Sequence, residues 1–182
     1  MEAAIQTASG RRFSLLEPRA SDVDLGDVAH ALSNQCRFGG HSRVFYSVAQ
    51  HSCVVADAVE AAGADATTTL WALLPDASEA YLLDLPHPIK HRTALGEAYR
   101  EVEAGVMAAI ADHFGLPVAP PPIVKRIDRE VLAAERLAFM QVEWDWPELD
   151  GVTPLELELE PWSPERAESE FLARFERLES AR

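Results

Sequence analysis

The chain has 182 residues, 48% apolar and 25% charged, a composition that suits a single folded domain with a sizeable core and excludes a disordered one. Thirty acidic residues against 16 basic ones leave a net charge of −14. That balance argues against non-specific binding to nucleic acid or to anionic membranes, while a metal or a local Arg/Lys pair can still receive a small phosphorylated substrate. Two unclustered cysteines, Cys36 and Cys53, no leader-like start and no apolar run of spanning length point to a soluble cytoplasmic protein.

Residues 1–20 carry little helical signal. Segments 5–7 and 13–15 flank a turn closed by Gly10 and read as a short hairpin. Ser21 and Asp22 cap a turn ahead of a helix over 25–34 that turns Val28, Ala29 and Leu32 inward, and Gly39 and Gly40 stop it. Apolar residues at 45, 48, 49, 55, 56 and 59 predict a helix over 42–60 with His51 inside it and Gly63 as its stop. A third helix is expected over 67–83, capped by the threonines at 67, 68 and 69. It carries the apolar run 70–74 and, three apart on one face, Asp76 and Glu79. Pro86 and Pro88 end it, and 86–93 is a loop or short turn.

An amphipathic helix over 94–114 follows, with Leu95, Val102, Val106, Ile110 and Phe114 in register. Prolines at 117, 120, 121 and 122 mark a linker. The next helix, over 123–142, is expected to bury Ile127, Val131, Leu132, Ala134, Leu137 and Ala138, and it carries Asp128. Residues 143–164, rich in Trp, Pro and acids, read as irregular, before a last helix over 165–178 with Phe171, Leu172 and Phe175 inward. The pattern is one all-α helical bundle over 1–182, with 1–20 as an extension and 143–182 as a C-terminal segment and helix packed on it.

Three polar residues sit on separate predicted helices in otherwise apolar stretches: His51, Asp76 and Asp128. Helices packed side by side can bring such residues to one centre, and a mixture of imidazole and carboxylate suits Mn, Co, Zn or Mg. Glu79 could then orient or deprotonate a water, and Asp84 could hold a substrate hydroxyl or shuttle a proton. Spacing alone leaves the ordinary alternatives open: a core histidine with satisfied nitrogens, and a solvated helix-face charge at Asp128.

The segments RFGGHSRVFYSVAQHS (37–52), WALLPDASEAYLLDLPHPIK (71–90) and IDREVLAAE (127–135) together resemble the HD-domain metal-dependent phosphohydrolases, nearest to the YfbR-like 5′-deoxynucleotidase and prophage-type branch. The resemblance runs from about Ala29 to the last helix. It implies an all-α fold and a divalent-metal nucleotidase. His51, Asp76 and Asp128 would be metal ligands, Glu79 and Asp84 catalytic or pocket acids, and Arg37 a phosphate-binding arginine. Arginine suits that role because its planar fork bonds phosphate oxygens in pairs.

The chain departs from the family pattern at Pro75, which stands where the family's His-Asp doublet has histidine. Proline cannot ligate a metal, and inside a helix it costs on the order of 3 kcal/mol. Three outcomes follow: a weaker centre with three protein ligands; a substitute from His41, His87 or His91; or a protein that binds a nucleotide or partner without hydrolysing it. Lys90, His91 and Arg92 form a basic patch that reads equally as a phosphate rim, with Lys90 the candidate contact, or as a solvated loop. His41 and Arg43 read equally as capping and surface residues or as phosphate contacts. Trp144, Trp146 and Trp162 are expected to pack the irregular segment rather than stack on a base. The long amphipathic helices leave apolar surface for a homodimer.

Overall fold

A computed structural model describes residues 3–182. Two strands, β1 (Ala4–Gln6) and β2 (Arg12–Ser14), pair antiparallel with Ile5 opposite Phe13, which is the hairpin expected around Gly10. Gly10 has φ 82°, a left-handed turn position that favours glycine. Phe13 is fully buried and stacks on Tyr81 at 3.8 Å between centroids, tying the hairpin to the bundle. Everything else regular among the described residues is helical, so the fold is all-α.

Helix α1 (Leu25–Asn34) begins at Asp24, whose carboxylate accepts from the Asp27 amide at 3.1 Å, and it buries Val28, Ala29 and Leu32. A 3₁₀ turn over Arg37–Gly40 follows, with Phe38 at φ 56°. The chain then passes through a turn and bends over 41–44 to the bridge at Ser47, and α2 runs Val48–Ala61. The helix expected from residue 42 therefore starts six residues later. The Ser47 hydroxyl accepts from the Gln50 amide at 3.1 Å, and residues 35–37 and 46–48 hydrogen-bond across an antiparallel bridge instead of coiling.

The helix expected over 67–83 is two pieces. Asp65, not the threonine run, caps α3 (Ala66–Leu73) by accepting from the Thr68 amide at 2.8 Å. Pro75 lacks the amide needed to continue and disfavours helical backbone at Leu74, so the chain turns and resumes as α4 (Glu79–Leu82). Because the helix ends before it, Pro75 incurs no mid-helix penalty. Residues 86–93, read as loop or short turn, form α5 (His87–Arg92).

Two long helices match expectation closely, α6 (Ala94–His113) and α7 (Pro122–Phe139), and α8 (Pro164–Ser180) closes the bundle. Several positions expected inside are not: Leu95 is 64% and Leu137 56% exposed, and Ala138 also faces solvent. Each lies on the uncovered face of its helix: Phe139, nearer the end of α7, is 4% exposed, and Gly96, next to Leu95, is buried. Helix α2 lies at the centre, packed on α1, α3, α7 and α8, while α5 rests on α6. Gly96 allows that last contact, since a Cβ there would lie 2.3 Å from the carbonyl oxygens of Ile89 and Lys90.

The irregular segment 140–163 is strapped to the bundle by Gln50, which is 1% exposed. Its amide donates to the Glu160 carbonyl at 2.6 Å, and its oxygen accepts from the Trp162 amide at 2.9 Å. Two of the three tryptophans pack as expected, Trp146 under the Arg136 guanidinium and Trp162 under Arg166 and Arg174, whereas Trp144 is largely exposed. No described helix is long and apolar enough to cross a membrane.

Candidate functional site

His51 sits one turn inside α2 with no exposure. Its two ring nitrogens face different neighbours. Nδ1 lies 2.6 Å from Oε1 of Glu135, and Nε2 lies 2.9 Å from Oδ1 of Asp128 and 3.7 Å from Oδ2 of Asp76. The imidazole is thus fixed in orientation by a fully buried carboxylate behind it and presents its other nitrogen to two carboxylates in front. Asp128 and Glu135, seven residues apart on α7, share one helix face, and Asp76 reaches the same point from the turn after Pro75.

The 35–37 and 46–48 bridge supplies the rest of the surround. Arg37 reaches Asp76 at 3.5 Å and Glu135 at 3.3 Å, and the Tyr46 hydroxyl donates to Glu135 Oε1 at 2.7 Å. One Glu135 oxygen therefore takes both the tyrosine hydroxyl and the imidazole. The other faces Arg37 without a bond of good geometry, and the Arg37 Nε has no partner. Glu79, 6% exposed at the start of α4, accepts from the Gln35 amide at 3.2 Å. Lys90 pairs with Glu103 at 2.7 Å and lies over the Tyr99 ring, and Tyr99 in turn donates to the Leu83 carbonyl just before Asp84.

Electrostatics separates these groups. Burial and the Arg37 charge oppose protonation of His51, but Glu135 and the hydrogen bonds to Asp128 and Glu135 outweigh them and lift it to about 9. Burial pushes Glu135 and Asp128 up. The hydrogen bonds from His51, that of Tyr46 to Glu135, and the charges of Arg37 and His51 prevail and hold both below the ordinary carboxylate range. Glu79 goes the other way: burial, Asp76 and Asp84 raise it well above that range despite Arg37 and Lys90. Asp84 is raised too, through burial and Asp76, against Arg37 and Lys90. Two carboxylates are held ionised and two are pushed toward their protonated forms within one cluster, a pattern typical of functional sites.

All seven residues singled out from sequence fall in this neighbourhood. His51, Asp76, Asp128 and Arg37 are in direct contact; Glu79, Asp84 and Lys90 interact with them through charge. Asp76 and Glu79 meet there from a turn and a short helix, not from one helix face as expected. Sequence reasoning gave no role to Glu135, Tyr46 or Gln35. The available signal was the seven-residue spacing of Asp128 and Glu135 within the apolar stripe of α7. His41, His87 and His91, weighed as replacements for the missing histidine, are exposed, and no described bond joins them to His51, Asp76 or Asp128. Arg43 donates to the Ala138 carbonyl at 2.9 Å and so anchors its loop on α7. Among the described residues no three His, Cys, Asp or Glu side chains stand at ligand spacing around one point; the acids close on Nε2 and Arg37 instead.

Fold and site together define an all-α protein built around a buried histidine gripped by carboxylates from α7 and the α3–α4 turn. No family model matches the chain. It is 36% identical to the uncharacterised protein YfdR of Escherichia coli (strain K12) over 180 residues, 98% of this chain and 97% of that one. An uncharacterised protein of Rhodobacter capsulatus is 37% identical over 139 residues, 74% of this chain and 70% of its own. The chain belongs to the YfdR family.

Proposed function

We propose that the protein is a divalent-metal-dependent phosphohydrolase of the HD type, acting on a nucleotide or deoxynucleotide. The observation that carries this reading is the convergence of His51 Nε2, Asp128 and Asp76 from three parts of the chain beside the buried acid Glu79. Charge supports it. Asp76, Glu79, Asp84, Asp128 and Glu135 crowd around Arg37, Lys90 and the imidazolium, which is why Glu79 and Asp84 are raised, and a cation entering among them would relieve that repulsion.

The donor types suit such a cation, although the three side chains close on one another and on Arg37 and would have to open to ligand spacing to take it. One imidazole and two carboxylates suit Mn, Co, Zn or Mg, and three protein donors leave positions open, as catalytic metal sites do. His51, Asp76 and Asp128 would hold the ion, with Glu135 keeping the imidazole oriented through Nδ1. A metal bound there supplies Lewis acidity toward a phosphoryl oxygen and lowers the pKa of bound water.

The chain's own groups take the remaining roles. Glu79, raised by burial and its acid neighbours, is biased toward its protonated form and would hand that proton to a departing oxygen. Arg37, whose fork faces Asp76 and Glu135 and whose Nε is unpartnered, would give positive charge to phosphate oxygens, with Lys90 as a second cation at the rim. Asp84 would hold a substrate hydroxyl or shuttle a proton. The reading carries with it a cytoplasmic setting and a homodimer, for which Val142, Trp144 and Leu137 offer exposed apolar surface.

One observation favours a second reading, a protein of the same fold that binds its nucleotide or partner without cleaving it. Pro75 offers no donor, and Arg37 already places a cation against Asp76. Elemental analysis and phosphate release from a nucleotide panel with Mn, Co or Mg separate the two. Release that Asp76→Ala abolishes supports hydrolysis. Release from no substrate, restored by Pro75→His, supports the second reading, and turnover unchanged by Asp76→Ala would remove the basis of the first.

A further inference from the structure

Outside the buried centre, α5 carries two imidazoles that touch each other and, among the described residues, form no hydrogen bond or ion pair. His87 and His91 are the first and fifth residues of this six-residue helix, both exposed, with ring centroids 4.4 Å apart and planes inclined at 41°. We propose that His87 and His91 form a site for a divalent transition ion that prefers imidazole, copper(II), nickel(II) or zinc(II), and that this ion clamps α5.

The geometry admits one ion between the rings. Metal–imidazole bonds run roughly 2.0–2.1 Å, which places an ion roughly 3.2 Å from each ring centroid. Centroids 4.4 Å apart then subtend an angle of roughly 90° at the ion, the angle between neighbouring ligands in tetragonal copper or nickel coordination. Histidines four apart on a helix are a known metal-holding spacing because both rings leave the same face one turn apart. Water completes the shell, since both rings are open to solvent.

Nearby charge sets limits on affinity without forbidding the ion. Lys90 lies between the two histidines and pairs with Glu103 at 2.7 Å; Lys90 and Arg100 oppose positive charge at His91 and so weaken cation binding, while Glu103 favours it. The benefit falls on α5. A helix this short is not stable alone, and a chelate from its first to its fifth residue holds it nearly end to end, adding stability as ligand binding does. The site shares no residue with the His51 centre, so the two readings stand or fall separately.

The test is copper(II) titrated into the full chain, followed by electron paramagnetic resonance and calorimetry, with zinc(II) used for hydrogen exchange. The wild type should give a tetragonal signal with nitrogen coupling. His87→Ala or His91→Ala should weaken binding by about tenfold or more, and the double variant should lose the signal. His51→Ala should keep it. Zinc should slow amide exchange across α5 in the wild type and leave the double variant unchanged. Copper binding of undiminished affinity in the double variant would overturn the proposal, as would loss of the signal in His51→Ala with retention in His87→Ala.

Discussion

Replacing Glu135 by glutamine removes one negative charge from beneath His51 at nearly constant volume. In the wild type His51 is fully buried and its protonation lies at about 9, against an ordinary 6.5. That difference corresponds to on the order of 3 kcal/mol of folding free energy linked to the proton. The folded value is the raised one. The contribution is therefore fully present below about pH 6.5 and is lost as pH rises through about 9. Without Glu135 the surroundings that remain are burial and Arg37, which disfavour the imidazolium, and Asp128, Asp76 and Tyr46. Most of the linked stability should go with the charge. A chain of this length loses about 2–4 °C in Tm per kcal/mol, so Glu135→Gln should unfold about 6–12 °C lower near pH 6.5. The difference should narrow toward pH 9. Thermal unfolding by circular dichroism in chelator, at half-unit steps from pH 6 to 9.5, measures it. Wild-type and variant curves that run parallel across that range would refute the argument, because they would show that Glu135 does not hold the proton on His51.

If His51, Asp76 and Asp128 hold a metal as proposed, Pro75→His adds an imidazole beside Asp76 and should tighten manganese binding by about tenfold or more in calorimetry; unchanged affinity would mean that position 75 does not face the centre. Gly96→Ala places a methyl 2.3 Å from two backbone oxygens of α5, so α5 and Lys90 must move, at a cost of about 1–3 kcal/mol visible as a lower denaturant midpoint. A midpoint equal to the wild type would show that α5 yields freely. Gln50→Ala leaves the Glu160 carbonyl and Trp162 amide without partners, costing about 1–3 kcal/mol, and should speed amide exchange and proteolysis within 155–163 ahead of the rest of the chain.

Local signals were enough for the hairpin at Gly10, for α1 and for most of α6, α7 and α8. Each has a turn residue, a cap or a long apolar stripe whose meaning needs no distant partner. Three features could be read only from the packed molecule. Ser47 outcompeted the apolar spacing of residues 42–46 as the start of α2 because residues 35–37 were there to bond with. Leu95 and Leu137 fit the stripe of their helices but lie where no neighbour covers them. Glu135 was given no role from the sequence, yet it is the group that Tyr46, His51 and Arg37 enclose.

The sequence by itself determined which segments coil and which polar residues sit in apolar company, because helix period and chain punctuation act over a few residues. Only the tertiary structure decided that His51 has Glu135 on one nitrogen and Asp128 and Asp76 near the other, since those distances join parts of the chain 25 to 84 residues apart. A buried charge must find its partners within a few ångströms, and that requirement is met by packing, not by sequence spacing.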